Sequence, residues 1–90
     1  MKTGQKVMTR GIAFKYATSL IFKKQVDNAL INFLKKDWGI ISDQDKETNN
    51  EHVQMGVGSL MGAYNTCEGK IWIMTEHDRS VTTILFPSEY

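Results

Sequence analysis

Two segments near the C-terminus, Lys70–Thr75 and Val81–Phe86, constrain the fold of this chain more than any other feature. Both are rich in β-branched and aromatic residues, and the polar residues Glu76–Ser80 connect them, which is the pattern of a β-hairpin. An earlier apolar segment, Leu60–Asn65, is joined to the first by a short glycine-containing turn. We therefore predict a three-stranded antiparallel meander, which should end at Pro87 because proline cannot donate to a strand ladder.

The middle strand of this meander carries apolar residues on both faces. Alternation along a strand directs Ile71 and Ile73 to one face, and Trp72 and Met74 to the other. A strand of this kind is typically central in its sheet. We expect one of its faces to lie against a helix and the other to be partly covered or exposed.

A long amphipathic helix is predicted to cover the sheet. Thr18 or Ser19 can accept a hydrogen bond from a first-turn amide, as an N-cap does. The apolar residues that follow recur at helical period on one face. They are Phe22, Val26, Ala29, Leu30, Phe33 and Leu34. Gly39 is predicted to form a left-handed C-cap. Ser42 then precedes acidic residues, which predicts a second, polar helix over Asp43–Met55. Asn49, Asn50 and Glu51 are expected on a solvated face of that helix.

The N-terminal part is less patterned. Lys6–Arg10 can form a short strand, Gly11 is expected to break the pattern, and Met1–Gln5 is expected to fray. The length of 90 residues predicts one domain that spans residues 1–90. The predicted fold class is α+β, with a long amphipathic helix plus a short polar helix packed on a three-stranded antiparallel sheet.

Composition disfavours several classes of function. The chain has 11 basic and 10 acidic side chains, whereas nucleic-acid binders usually carry a basic excess. No apolar run approaches the roughly 20 residues that span a bilayer. Cys67 is the only cysteine, so no internal disulfide can form. A small chain of this kind fits a reducing compartment, and we predict a cytoplasmic protein without a membrane partner.

The reactive side chains form no convincing constellation in the sequence. Cys67 with His52 or His77 is a formal nucleophile–base pair, but nothing predicts that they meet. Glu76, His77 and Asp78 are adjacent and metal-capable, yet neighbours in a turn rarely converge on one ion. No phosphate-binding glycine loop, zinc spacing or nucleophile elbow is present. We predict no enzyme activity, no metal and no cofactor.

The aromatic residues leave alternatives open. Trp38, which follows Asp37 near the helix end, is either the lid of the core, which we favour, or an exposed contact for a partner. Trp72 and Tyr90 carry the same ambiguity, and Trp72 marks an interaction surface if it faces away from the helix. Arg79 is expected to pair locally with Glu76 or Asp78, and Asp78 to shape the turn through its side chain.

Several motifs resemble a family of short Firmicutes proteins that are carried on plasmids, phages and conjugative elements. They are Met8-Thr9-Arg10-Gly11-Ile12, Asp37-Trp38-Gly39, Lys70-Ile71-Trp72-Ile73-Met74-Thr75-Glu76, and the segment from Asp78-Arg79-Ser80 to Pro87-Ser88-Glu89-Tyr90. The resemblance covers most of the chain and departs most over Ala13–Ile21. The family has no established activity, and its mobile-element carriage implies a role in the contest between element and host.

The resemblance implies a concrete function of the anti-CRISPR or anti-restriction type. The chain would bind a host protein, either a CRISPR effector or a restriction nuclease, and block it sterically. The predicted partner-binding residues are Asp37, Trp38, Trp72, Glu76, Asp78 and Arg79. The alternative is an accessory or regulatory protein of a mobile element, homodimeric or not, with weak nucleic-acid contact through Lys2, Lys6 and Arg10. A third reading, an enzyme that uses Cys67, would require loss of activity in Cys67→Ala.

Overall fold

A mixed four-stranded sheet with three helices forms the fold, in a computed structural model that describes residues 1–90. The elements in chain order are β1 (Gln5–Met8), α1 (Arg10–Thr18), α2 (Leu20–Leu34), α3 (Asp43–Met55), β2 (Leu60–Thr66), β3 (Gly69–Thr75) and β4 (Val81–Leu85), followed by a short 3-10 turn at Pro87–Glu89. The α+β class and the antiparallel β2–β3–β4 meander are confirmed.

The predicted three-stranded sheet is wrong in one respect, because a fourth strand extends it. The strand order is β1-β4-β3-β2, and β1 runs parallel to β4. The amide of Gln5 donates to the carbonyl of Ser80 at 3.1 Å, and that of Thr9 donates to Ile84 at 3.0 Å. The strand predicted over Lys6–Arg10 is confirmed for Lys6–Met8, but it ends there because Arg10 begins α1. Its pairing joins residues about 75 positions apart, and no local pattern reports such a contact.

Helix α1 was not predicted, because Gly11 was interpreted as a break. Gly11 lies in the first turn of α1, and its amide donates to Oε2 of Glu89 at 3.0 Å. A Cβ at this position would lie 2.7 Å from the same oxygen. The glycine thus permits the close approach of the C-terminal turn.

Helix α2 confirms the most regular sequence pattern. The hydroxyl of Ser19 accepts a hydrogen bond from the amide of Phe22 at 3.2 Å, which caps the first turn. The helix ends at Leu34, and Lys36 takes the left-handed conformation with φ of 69°. The predicted C-cap at Gly39 is therefore wrong. Gly39 instead passes beside β2, where a Cβ would collide with the carbonyl of Ala63.

The core lies between the sheet and helices α1 and α2. Ile71, Ile73 and Ile84 on the sheet are fully buried. Their helical partners in the same cluster are Ile12, Phe22, Val26, Ala29 and Phe33. This cluster uses the predicted apolar face of α2 except for Leu34, which is 40% exposed, so its predicted place on that face is wrong. The opposite face of α2 points away from the sheet.

Helix α3 is as polar as predicted, but it is tied to the sheet by side-chain amides. The side chain of Asn49 donates to the carbonyl of Met61 at 2.7 Å and accepts from the amide of Met61 at 3.3 Å. Asn49 is 5% exposed, so its predicted place on a solvated helix face is wrong. This pairing satisfies the edge of β2, which would otherwise be open.

None of the helices is both long enough and apolar enough to cross a bilayer.

The N-terminal residues are held rather than frayed. The hydroxyl of Thr82 donates to the carbonyl of Thr3 at 2.6 Å and lies 2.7 Å from the hydroxyl of Thr75. Thr3, Thr75 and Thr82 are all buried. Because a buried hydroxyl must be hydrogen-bonded, this chain of contacts fixes the N-terminal segment against the sheet.

Candidate functional site

One face of the sheet is not covered by any helix. Directly opposite residues in antiparallel strands share a face, and the register pairs Trp72 with Leu85, and Met74 with both Thr83 and Met61. We call these five residues the outer sheet face. Trp72, Met61, Met74 and Thr83 are partly exposed there, whereas Leu85 is buried. The outer sheet face is apolar and lies opposite the helical layer.

An aromatic pair lies on this face. The rings of Trp72 and Tyr90 meet edge to face, with centroids 5.8 Å apart and an interplanar angle of 72°. Tyr90 is 83% exposed. Aromatic rings in this edge-to-face geometry stabilise each other, and accessible Trp and Tyr side chains are typical of binding surfaces. Trp72 thus faces away from the helices, which is the condition under which it is predicted to mark an interaction surface.

A groove of about 450 Å³ runs beside this pair. Met74, Thr83 and Leu85 line it, with Glu76 and His77 among the lining residues from the β3–β4 turn. Thr9, Glu89 and Tyr90 also line it, as do Ser59 and Thr75. The lining contains two carboxylates and no lysine or arginine. A largely polar groove with carboxylates and no basic side chain is suited to a cationic group.

The β3–β4 turn presents one free carboxylate and one that is used locally. Oδ1 of Asp78 accepts from the amide of Ser80 at 3.0 Å and from its hydroxyl at 2.6 Å. These hydrogen bonds hold the pKa of Asp78 below its ordinary value, and the bond from the Ser80 hydroxyl contributes most. The prediction that Asp78 shapes the turn is confirmed. The exposed Glu76 carboxylate has no hydrogen-bond or ion-pair partner, so it remains available.

Arg79 does not belong to the exposed surface, and its expected local pairing is wrong. It is 3% exposed, and its guanidinium donates to three backbone carbonyls rather than to Glu76 or Asp78. The acceptors are Gly58 at 2.8 Å, His52 at 2.9 Å and Lys2 at 3.0 Å. The His52 carbonyl is near the C-terminal end of α3, where the helix dipole favours a cation. Arg79 therefore links three distant segments.

Asp37 and Trp38 lie apart from the outer sheet face. Trp38 is 3% exposed and contacts Phe33 edge to face at 5.3 Å, which makes it a lid of the core. Its indole N–H donates to Oδ1 of Asn50 at 2.9 Å. The backbone carbonyl of Asp37 accepts from the hydroxyl of Tyr64, and burial, together with the Asp37 charge, raises the pKa of that phenol. The predicted grouping of Asp37 and Trp38 with Trp72 is not observed.

The thiol and the imidazoles do not converge. Cys67 is exposed in the β2–β3 turn, where its amide donates to the side chain of Gln25 at 2.9 Å. His77 lies beyond the other end of β3, and the ring of His52 binds the carbonyl of Ser59 just before β2. Seven residues of β3 separate the two ends by roughly 23 Å. No group of three or more His, Cys, Asp or Glu side chains is arranged to hold a metal ion.

Glu89 is a structural carboxylate that the sequence did not indicate. Its oxygens accept from the hydroxyl of Thr9 at 2.6 Å and from the amides of Phe86 and Gly11 at 3.0 Å each. These donors hold the pKa of Glu89 below its ordinary value, and the hydroxyl of Thr9 contributes most. The carboxylate thereby connects the C-terminal turn, which carries Tyr90, to the start of α1. No local motif could reveal the contacts with Thr9 and Gly11, because these residues are 80 and 78 positions away from Glu89.

Glu89→Gln should destabilise the fold more at neutral pH than in acid. The folded state lowers the pKa of Glu89, so its stabilisation is present above the unfolded value of about 4.3 and is lost as the pH falls through the folded value. We expect a loss of about 1 kcal/mol at pH 7 and a smaller difference at pH 3. Urea unfolding at both pH values measures this. Glu47→Gln, at an exposed position, is the control. If Glu89→Gln lowers the free energy of unfolding equally at both pH values, the structural role of the Glu89 carboxylate is contradicted.

A comparison of the chain with protein-family models, with curated proteins and with solved structures finds no significant match.

Proposed function

We propose that this chain is a non-enzymatic inhibitor that binds a host defence nuclease and blocks it sterically through the outer sheet face. The observation that carries the proposal is the uncovered apolar face with its Trp72–Tyr90 pair beside a groove without basic side chains. Aromatic side chains of this kind dominate binding energy when a partner buries them. The resemblance to a mobile-element family supplies the class of partner.

Charge complementarity supports a nuclease as the partner. Proteins that handle nucleic acids carry basic clefts that neutralise phosphates. Glu76 lies in the groove lining with its carboxylate free, and Asp78 is close by in the turn, whereas the carboxylate of Glu89 is already held by Thr9, Phe86 and Gly11. A charged rim beside an apolar surface matches the usual anatomy of a protein interface. The proposed contact residues are therefore Trp72, Met74, Tyr90, Glu76 and Asp78, with the partner contributing lysine or arginine.

Cleavage assays with purified nucleases test the proposal. The chain would be added to a panel that contains a CRISPR effector ribonucleoprotein and restriction endonucleases, with plasmid DNA as the substrate. We expect one class to be inhibited near equimolar concentration, with a complex that co-elutes in gel filtration. Failure to inhibit or bind any member would contradict the proposal. DNA binding by the chain alone, with a steep loss in salt, would instead favour the accessory-protein alternative at Lys2, Lys6 and Arg10.

Trp72→Ala and Glu76→Lys should weaken inhibition without unfolding the chain. Removal of an aromatic hot spot costs about 2 kcal/mol or more, which corresponds to about a 30-fold rise in the half-inhibitory concentration. We expect about a tenfold rise for Glu76→Lys, because it places a cation against a basic cleft. Glu47→Lys makes the same charge change on α3 and should have little effect. Unchanged inhibition by Trp72→Ala would remove the outer sheet face as the contact.

A further inference from the structure

Helix α2 carries a second apolar surface that the core does not use. Leu20, Ile31 and Leu34 are 67%, 49% and 40% exposed. Lys24 and Asp27 lie between Leu20 and Ile31 in the sequence. Positions 20, 24, 27, 31 and 34 follow the spacing i, i+4, i+7, i+11 and i+14, so these five residues form one stripe along the helix. The buried residues of α2 lie on the opposite side. We call this the outer helix stripe. A helix that faces solvent is normally polar there, so the stripe indicates a missing partner.

We propose that the outer helix stripe is a homodimer interface in which α2 packs antiparallel against α2 of a second copy. In an antiparallel pair about a two-fold axis, residue numbers that face each other have a constant sum. A sum of 51 places Leu20 against Ile31 of the second copy. The same register places Lys24 against Asp27 of the second copy. Symmetry repeats both contacts, as an isologous interface requires.

The charges in the stripe favour this occupant. Asp27 already accepts from the hydroxyl of Tyr16 at 2.6 Å and from Lys23 at 3.0 Å. These contacts hold the pKa of Asp27 below its ordinary value, so the carboxylate stays charged. Lys24 is exposed and has no partner of its own within the chain. The second copy offers each of these charges an opposite one, whereas an anionic membrane would repel Asp27.

The dimer is independent of the proposed function but compatible with it. Helix α2 packs on the sheet face opposite the outer sheet face, so pairing through α2 leaves both outer sheet faces uncovered. The two docking surfaces would point away from the two-fold axis. Such a dimer can engage two partner molecules, or two sites on one assembly, at once.

Cysteine cross-linking tests the register. In a Cys67→Ser background, Leu20→Cys chains would be mixed with Ile31→Cys chains and oxidised, and each variant would also be oxidised alone. A disulfide needs Cα atoms within about 7 Å. The proposed register places positions 20 and 31 of different copies side by side, but separates the two copies of position 20 by about 16 Å. We therefore expect a covalent dimer in the mixture and little in either variant alone. Equal cross-linking of Leu20→Cys alone would overturn the register.

Sedimentation equilibrium tests the interface itself. Ile31→Lys should raise the dimer dissociation constant at least about tenfold, since it places an ammonium against Leu20 of the second copy. Ile40→Lys is the matched control, because Ile40 is 50% exposed outside the stripe and Ile31 is 49% exposed. It should leave the constant unchanged. A wild-type chain that stays monomeric at high micromolar concentration would overturn the proposal. Co-sedimentation of the wild-type chain with phosphatidylserine vesicles would also overturn the proposal if Ile31→Lys abolishes it.

Discussion

Arg79→Gly is expected to lower the free energy of unfolding by about 3–5 kcal/mol, because it removes a buried charge from its fixed partners. The three carbonyls of Lys2, His52 and Gly58 would lose their common donor. The carbonyl of His52 would keep the amide of Gly56 at 3.0 Å, but those of Lys2 and Gly58 would have no donor. A buried acceptor without a partner carries the full cost of desolvation. For a chain of 90 residues each kcal/mol corresponds to roughly 4–8 °C in melting temperature. Thermal and urea unfolding measure the loss.

Lys36→Gly is the matched control for this substitution. Arg79 and Lys36 are the two non-glycine residues with positive φ, at 64° and 69°. Glycine relieves a left-handed backbone at either position by about 1–2 kcal/mol and adds about 0.5–1 kcal/mol of unfolded-state entropy. The backbone effect therefore cancels when the two variants are compared. The free energies of unfolding of Arg79→Gly and Lys36→Gly are then compared. If they differ by less than about 1 kcal/mol, the guanidinium is not the link that its hydrogen bonds indicate.

Trp38→Ala is expected to destabilise the fold by about 3–5 kcal/mol, as large-to-small changes at buried aromatics do. The change empties space beside Phe33 and leaves Oδ1 of Asn50 without the indole donor. Trp72→Ala should cost only about 1–2 kcal/mol, because its ring is already partly in solvent. Urea unfolding of both variants measures the difference. A larger loss in Trp72→Ala would show that the two tryptophans have the opposite roles.

Local patterns predicted the elements whose signals are local. The Ser19 cap and the apolar period of α2 required only neighbouring residues, as did the alternation that put Trp72 and Met74 on one face. Polar residues after Ser42 likewise located α3, because its cap is local: the Ser42 hydroxyl accepts from the amide of Asp45 at 3.1 Å.

The features that were missed depend on contacts between distant residues. The parallel pairing of β1 with β4 has no local sign, and Gly11 reads as a helix breaker unless Glu89 is known to approach it. A charged residue in a turn is normally solvated, so the burial of Arg79 follows only from the meeting of three carbonyls. Asn49 was assigned to solvent for the same reason, since its partner Met61 lies on another element.

The proposed function requires that the nuclease covers the outer sheet face of the chain. Hydroxyl-radical footprinting tests it directly, because radicals oxidise exposed Trp, Met and Tyr side chains. In the free chain Trp72, Met74 and Tyr90 should be modified, and binding of the inhibited nuclease should protect them. Met55, which is 68% exposed at the end of α3, should stay equally reactive. Undiminished oxidation of Trp72 and Tyr90 in the complex would contradict the account.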